Sequence, residues 1–139
     1  MNLTRELYVP RELVFDAWTQ PEHLAQWYAP PECRMESVVV EPVPGGRFDL
    51  CWRDPAGSAF REQGEFEALE RPSGFVCTVR NDPAPDGMRR SRLRVTLHDL
   101  LGACRIDVDQ ETVPEGDEQS RRETWERRLD RLESYFSAI

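Results

Sequence analysis

The two histidines, His23 and His98, are the first side chains to consider for acid–base or nucleophilic chemistry. Neither has a serine or cysteine at a spacing typical of a nucleophilic triad. His98 follows Leu97 in an alternating segment and is expected to face solvent or a rim. His23 falls in the first turn of a helical segment among polar residues. The sequence therefore gives no support for nucleophilic catalysis, and we assign no catalytic residue.

Three glutamates, Glu62, Glu65 and Glu67, lie close together on one strand candidate. A carboxylate buried in a pocket with a raised pKa can act as a general acid or base. Unpaired acids are rarely buried, so the sequence favours a row of side chains that face solvent. A cyclase- or hydrolase-like enzyme that uses a pocket carboxylate stays as an alternative hypothesis.

The four cysteines, Cys33, Cys51, Cys77 and Cys104, contain no C-x-x-C pair. We expect reduced thiols that behave as small hydrophobic side chains, with a four-thiolate zinc site as the alternative. All 18 basic residues are arginine. Without lysine, a Schiff base, pyridoxal phosphate attachment and the phosphate-binding lysine of a P-loop are all excluded. We predict no cofactor and no metal.

The net charge of −8 argues against a nucleic-acid partner, because phosphate binding needs clustered positive charge. The one basic run, at positions 89–94, is expected to be a solvated turn that leads into a strand, rather than an anion site. No stretch approaches the roughly 18 apolar residues of a membrane span, and the first residues lack the pattern of a signal peptide. We expect a soluble, cytoplasmic protein, a monomer or weak dimer, with residues 1–139 forming one domain.

Helical patterns occur near the start of the chain and at its end. Pro10 suits the first turn of a short amphipathic helix with Val14, Ala17 and Trp18 on one face. Positions 19–22 match a capping box with proline at the first helical position, and Pro30–Pro31 ends that second helix. The clearest element comes last, with an apolar stripe formed by Trp125, Leu129, Leu132 and Phe136 and flanked by Tyr135 and Ile139. Ser120 and Glu123 are spaced as its capping box.

Strand patterns fill the middle of the chain, separated by short turns rich in proline and glycine. A first strand is expected at 3–9, before the helices. Gly64 predicts a bulge or bend within its strand, 81–87 is expected to be a loop, and 114–117 is expected to break the last strand. The other strand candidates are 35–40, 48–53, 60–69, 75–80, 93–98 and 103–109.

Consecutive strands joined by short turns predict an antiparallel meander rather than βαβ units. The fold class is therefore α+β, with a curved antiparallel sheet of about six strands wrapped around a long C-terminal helix, and two short helices after the first strand. A 20-residue helix is about 30 Å long, which suffices to cross a small domain. It is the one predicted element long enough to cover the apolar face of the sheet.

This order of elements resembles the helix-grip fold of the START-like (SRPBCC) superfamily. The residues resemble in particular the branch named after the activator of the heat-shock protein 90 ATPase. The resemblance covers nearly the whole chain and rests on positions 10–19, positions 21–30, Gly45-Gly46-Arg47-Phe48, Asp54-Pro55-x-Gly57, and Trp125 with Leu129-Asp130-Arg131-Leu132. Thr124 departs from the pattern, because the family usually has glycine before the tryptophan of the last helix. A side chain at that position is expected to narrow the space between helix and sheet.

The resemblance implies an interior cavity between the sheet and the long helix, and with it a binding module for a small hydrophobic ligand. A co-chaperone-like domain that binds a larger protein is the third hypothesis. An empty cavity of about 300 Å³ would cost about 7 kcal/mol, so the cavity must be collapsed, wet or occupied. The candidate ligand-binding residues are the aromatic and large aliphatic side chains Trp18, Trp27, Tyr28, Phe48, Leu50, Trp52, Phe66, Phe75, Trp125, Leu129 and Leu132.

Those residues could equally be ordinary core, since aromatic side chains at helical or strand spacing usually pack against one another. The four tryptophans, three tyrosines and six phenylalanines could fill much of a cavity. Trp27 and Tyr28 differ from the others because they end a short helix where the chain leaves the core. We expect them to form a lid over the cavity mouth, or to close it.

Overall fold

The computed structural model describes residues 1–83, 90–113 and 118–138. Seven strands and three helices follow one another in the order β1, α1, α2, β2 to β7, α3. The strands are β1 (Asn2–Leu7), β2 (Arg34–Val40), β3 (Arg47–Arg53), β4 (Ala59–Glu70), β5 (Gly74–Asp82), β6 (Arg90–Asp99) and β7 (Cys104–Val113). The helices are α1 (Arg11–Thr19), α2 (Pro21–Trp27) and α3 (Glu118–Ser137).

The strands form one curved, open antiparallel sheet in the order β1-β7-β6-β5-β4-β3-β2. From β2 to β7 each strand pairs with the next, which confirms the predicted meander. The first strand instead pairs with the last, from Asn2 opposite Asp109 to Leu7 opposite Cys104. Helices α1 and α2 therefore carry the chain from one edge of the sheet to the other. The sheet has seven strands rather than about six, and the helix-grip α+β fold is confirmed.

Helix α3 packs its apolar stripe into the core. Trp125, Leu129 and Leu132 are completely buried, whereas Phe136 is only partly buried. The predicted capping box at Ser120 and Glu123 is wrong, because α3 begins at Glu118 and Ser120 lies inside its first turn. Predictions at 84–89, at 114–117 and for Ile139 lie outside the described residues.

Helix α1 buries the predicted face of Val14, Ala17 and Trp18, and α2 buries Trp27. The predicted capping box at positions 19–22 is wrong. Thr19 is the last residue of α1, and its hydroxyl donates to the Phe15 carbonyl at 2.8 Å. Pro21 is the first residue of α2, as predicted. The Trp27 indole donates to the Ala17 carbonyl at 3.0 Å and ties the two helices together.

Strand β4 departs from the predicted pattern in one place. The bulge lies between Phe66 and Ala68 rather than at Gly64. Gly64 instead allows a close approach, since a Cβ there would overlap the Thr78 carbonyl oxygen and press on the Phe48 ring. Strand β5 runs to Asp82, so the loop prediction for 81–87 is wrong for its first two positions.

The described residues contain no helix that is long and apolar enough to cross a membrane. All four cysteines are free thiols, buried at Cys77 and Cys104 and half-buried at Cys33 and Cys51. Within the same residues, no three His, Cys, Asp or Glu side chains are grouped as a metal would require.

Candidate functional site

Two spaces of very different size lie on the inner side of the sheet. The deep space has a volume of only about 20 Å³, and the mouth cavity, where α3 meets the ends of β3, β4 and β5, has about 460 Å³. The deep space is lined by Trp18, Leu24, Tyr28, Val40, Phe48, Leu50, Phe66, Phe75, Cys77 and Leu93. The mouth cavity is lined by residues 28–33, Trp52, Asp54, residues 60–62, residues 81–83, Arg121, Thr124, Arg127, Arg128 and Arg131.

The deep space is filled by aromatic rings from separate elements. The Trp18 ring lies 4.9 Å from Trp27, 5.8 Å from Phe75 and 5.9 Å from Trp125, measured between ring centroids. Phe66 meets Phe75 edge to face at 5.7 Å. The remaining volume is close to what one water molecule requires. An interior cavity was expected to be collapsed, wet or occupied. The deep space is collapsed.

The mouth cavity combines aromatic walls with charged groups. Tyr28, Trp52 and Phe60 supply the aromatic surface, and the rings of Trp52 and Phe60 are nearly parallel at 6.4 Å. Thr124 lies on the α3 wall, with its hydroxyl donating to the Ser120 carbonyl at 3.1 Å. A volume of this size lies within the usual range for small-molecule sites.

A buried polar cluster of Glu62, Asn81, Arg128 and Tyr28 belongs to this cavity. Glu62 and Arg128 come from β4 and α3, and their side chains are 1% and 8% exposed. The Arg128 Nη2 lies 3.6 Å from the Glu62 Oε1, and the Asn81 Nδ2 donates to the same oxygen at 3.2 Å. All four residues line the mouth cavity.

Arg128 is held in place by two aromatic rings. Its guanidinium carbon lies 4.0 Å from the ring centre of Tyr28 and 4.8 Å from that of Trp125. Its Nε donates to the Tyr28 carbonyl at 3.2 Å. Arg131, one turn further along α3, donates to the carbonyls of Ala29 and Gln26. Helix α3 thereby fixes the segment that follows α2, which forms one side of the cavity.

Tyr28 keeps its proton in this setting. Burial raises the pKa of Tyr28 well above its ordinary value of 10.0, and the Arg128 charge opposes that shift. The Glu62 carboxylate adds to it, both through its charge and through a side-chain hydrogen bond with the phenol. The phenol is therefore a neutral hydrogen-bonding group at neutral pH.

Three atoms of the cluster are buried without a hydrogen-bond partner among the described residues. They are the Glu62 Oε2, the Asn81 Oδ1 and the Arg128 Nη1. A buried polar group with no partner costs about 1–3 kcal/mol, and more if it is charged. The polar cluster therefore has unused hydrogen-bonding capacity, with two acceptor atoms and one donor atom.

The eleven candidate ligand-binding residues are distributed over the mouth cavity, the deep space and the rest of the core. Tyr28 and Trp52 line the mouth cavity, and Tyr28 also lines the deep space. The remaining ones are buried in the aromatic core. Trp18, Phe48, Leu50, Phe66 and Phe75 line the deep space, whereas Trp27, Trp125, Leu129 and Leu132 line neither space.

The sequence interpretation of the glutamate row is wrong for Glu62 and holds for Glu65 and Glu67, which are exposed. Glu62 has the same strand phase as Phe60 and Phe66, so alternation places it on the inner face. Arg128 was overlooked, although it lies seven positions after Arg121 and three after Trp125 on the buried side of α3. A strict count of strand and helix periods would have found both residues. Nothing in the sequence pattern singles out Asn81.

Neither histidine lines the mouth cavity. The His23 Nδ1 lies 2.6 Å from the Tyr135 hydroxyl, and the His98 Nε2 lies 2.8 Å from the Asp107 Oδ2. His98 is half-buried on β6, with Leu97 facing the core beside it.

Comparison with known proteins identifies relatives of the chain. A model of the family described as Activator of Hsp90 ATPase homolog 1-like protein matches residues 8–137. The fold is similar to that of a protein from Chromobacterium violaceum, at 22% identity and a TM-score of 0.85 over 96% of this chain and 94% of the other. The AHSA1 protein from Silicibacter pomeroyi is 20% identical, with a TM-score of 0.80 over 99% and 97% of the two chains. The AHSA1-like protein from Aeromonas hydrophila is 24% identical, with a TM-score of 0.74 over 99% and 93%.

No curated protein matches the sequence. At these identities, the similarity to the solved structures shows a shared fold and does not identify a ligand.

Proposed function

Because the chain belongs to the family of Activator of Hsp90 ATPase homolog 1-like proteins, which generally bind hydrophobic ligands, we propose that it binds a small, largely apolar molecule in the mouth cavity. The observation that carries this proposal is the contrast between the two spaces. A volume of about 20 Å³ leaves no room for an organic ligand, whereas about 460 Å³ does.

The walls of the mouth cavity suit a flat or compact apolar body. Trp52 and Phe60 offer one aromatic surface, and Tyr28 offers a second. Aromatic side chains provide a large contact area and prefer offset or edge-to-face ring pairs. The proposed ligand lies against these rings, beside α3, and does not enter the aromatic core. Of the eleven residues predicted from the sequence, Tyr28 and Trp52 are the two proposed to touch it.

Titration with 2-naphthol, followed through amide chemical shifts, tests the location. Shifts that cluster at 28–33, 52–62 and 121–131 support the proposal. Shifts confined to residues around Phe66 and Phe75, or scattered over the surface, overturn it.

A cavity-filling variant provides the matched test. Thr124→Trp places a large ring on the α3 wall of the mouth cavity and is expected to weaken 2-naphthol binding at least tenfold. Glu123→Trp adds the same ring at an exposed neighbouring position of α3 and should leave binding unchanged. Equal binding by both variants contradicts the proposed site.

The wider proposal is of a single domain, spanning residues 1–139, that works in the cytoplasm as a monomer or weak dimer. Four free thiols are in keeping with a reducing compartment, and a net charge of −8 favours dispersed molecules in solution. Light scattering after size exclusion tests the oligomeric state, and a stable mass above that of a dimer contradicts it.

A second candidate function, a cyclase- or hydrolase-like enzyme, draws support from Glu62. Among the residues that the structure describes, it is the only buried carboxylate, and its Oε2 has no hydrogen-bond partner there. Mass spectrometry of ligand recovered from cell extracts tests this candidate. Conversion by the wild-type protein that stops in Glu62→Gln, with binding retained, supports an enzyme. Unchanged ligand with both proteins favours the binding module.

A further inference from the structure

The unpaired atoms of the buried polar cluster define what a ligand must bring to the mouth cavity. The Glu62 Oε2 accepts hydrogen bonds, and the Arg128 Nη1 donates them. Both belong to side chains joined at 3.6 Å through their other atoms. One small group placed beside the pair can therefore meet both atoms if it is itself a donor and an acceptor.

We propose that the mouth cavity selects apolar molecules that carry an uncharged hydroxyl or primary amide group, which donates to the Glu62 Oε2 and accepts from the Arg128 Nη1. This inference rests on the proposed function, since it names the class of ligand bound at the same site. The apolar body lies against Tyr28, Trp52 and Phe60, and the polar group reaches the cluster.

The charges of Glu62 and Arg128 disfavour ligands that carry a carboxylate or an ammonium group. Glu62 and Arg128 carry opposite charges, so the pair is neutral as a unit. A carboxylate on the ligand would face the unpaired oxygen of Glu62, and an ammonium would face the guanidinium of Arg128. Like charges at such short range in a buried site repel strongly. An uncharged group that both donates and accepts meets neither repulsion.

Asn81 strengthens the same preference. Its Nδ2 donates to Glu62 at 3.2 Å, which leaves its Oδ1 as a second unpaired acceptor in the cluster. A primary amide has two N–H donors and one carbonyl acceptor. It can therefore donate to both acceptors and accept from Arg128, which a single hydroxyl cannot do.

The outer charges of the cavity are of mixed sign, since Arg61, Arg121, Arg127 and Arg131 share the lining with Glu32, Asp54 and Asp82. Arg61 is held by Asp49 through two hydrogen bonds at 2.9 and 2.6 Å. Arg131 is engaged by backbone carbonyls. We therefore expect the buried Glu62–Arg128 pair to decide which ligands bind, because water competes least with hydrogen bonds there.

A set of matched bicyclic compounds tests the inference on the wild-type protein at pH 7. The set is 2-naphthol, 2-naphthamide, 2-methoxynaphthalene, which lacks the donor, and 2-naphthoate, which is an anion. Calorimetry gives each dissociation constant, and amide shifts show where each compound binds. We expect 2-naphthol and 2-naphthamide to bind at least about tenfold more tightly than the other two, since unmatched buried polar groups penalise ligands that leave them unpaired.

Two variants connect this preference to the cluster. Glu62→Gln keeps the shape of the side chain and removes its charge, and it should reduce the advantage of 2-naphthol over 2-methoxynaphthalene to less than about threefold. Glu67→Gln, on the same strand but exposed and paired with Arg92, should retain the full advantage.

The outcomes separate the two proposals. If 2-methoxynaphthalene binds in the mouth cavity as tightly as 2-naphthol, the inference is overturned and the proposed function stands. Tighter binding of 2-naphthoate overturns it too and points to the arginines. If no compound binds in the mouth cavity, the proposed function fails and the inference fails with it.

Discussion

The Arg128 Nη2 lies 3.6 Å from the Glu62 Oε1, and together the two side chains join the C-terminal helix to the middle of the sheet. Each charge has been moved out of water, which is costly, and the attraction between them offsets part of that cost. Because both are buried, the loss of one partner leaves the other as an uncompensated charge in the core. The pair therefore couples the stability of the domain to the polar cluster of its cavity.

Replacement of Arg128 is expected to be severe for this reason. Arg128→Met should lower the free energy of unfolding by about 3–5 kcal/mol, because the Glu62 carboxylate stays buried without its partner. Urea unfolding followed by circular dichroism measures the change. Arg127→Met, at an exposed neighbouring position, should stay within about 0.5 kcal/mol of wild type. A double variant, Glu62→Leu with Arg128→Met, should recover much of the loss. If Arg128→Met resembles Arg127→Met, the pair contributes nothing to folding.

Gln110 forms a second buried link between α3 and the sheet. It accepts from the Trp125 Nε1 and donates to the Ser91 Oγ, both at 2.7 Å, and is 2% exposed. Gln110→Met should cost about 1–3 kcal/mol for each group left without a partner, as measured by urea unfolding. Adding Ser91→Ala to that variant should restore part of the stability, since the unpaired hydroxyl is then gone. Gln119→Met, on the exposed side of α3, serves as the control, and an equal cost there would contradict the role given to Gln110.

The domain is expected to lose stability at alkaline pH. Burial raises the pKa of the Cys104 thiol from an ordinary 9.0 to about 11, with Arg11 opposing the shift and Asp99 and Glu12 adding to it. Well below pH 9 the thiol is protonated in both the folded and the unfolded state, so its contribution to stability is constant. Between pH 9 and about 11 the unfolded chain releases this proton first, and stability falls by up to about 1.4 kcal/mol per pH unit. Burial also raises the pKa of Cys77 and Tyr28, which extends the loss in the same direction.

A cysteine variant isolates that contribution. Cys104→Ala should show a shallower fall in the free energy of unfolding between pH 9 and 11 under reducing conditions. Cys51→Ala, at the half-buried thiol of β3, should keep the wild-type slope. Identical slopes for wild type and Cys104→Ala would show that this thiol titrates alike in the folded and unfolded chains.

Removal of α3 should abolish folding. The helix buries Trp125, Leu129 and Leu132 completely, which contributes roughly 5–9 kcal/mol at about 1.5–3 kcal/mol per large side chain. That is comparable with the net stability of a typical domain. A chain cut after Asp117 is expected to show no cooperative unfolding and poorly dispersed amide signals. A chain cut after Ser137, where α3 ends, should fold normally. A cooperatively folded 1–117 fragment would refute this account of the core.

The order of the elements and the α+β class could be predicted from the sequence, because hydrophobic period reports directly which side of a strand or helix is buried. Alternation in β3 and the stripe on α3 are local properties of the chain, and both were confirmed. The capping boxes predicted at Thr19 and Ser120 were wrong, and the reason is also local. A hydroxyl and a glutamate at the right spacing also occur inside or at the end of a helix, and only the backbone hydrogen bonds decide which residue comes first.

The candidate site was harder to predict. The hydrophobic period of the sequence marks Phe48, Phe66 and Phe75 as buried. It does not show whether their rings leave a cavity or fill it. That depends on how side chains from α1, α2 and three strands interdigitate, and the rings around Trp18 closed the deep space. The larger opening lies where α3 meets strand ends and turns, and the hydrophobic period does not show how far apart such segments lie in the fold.

Sequence by itself determined that this chain would wrap an antiparallel sheet around a long helix, since amphipathic patterns are written residue by residue. Only the tertiary structure decided that Glu62 and Arg128 would be buried together. A charged side chain stays in the core only when its partner, distant in the chain, is held within reach by the packing of everything between them.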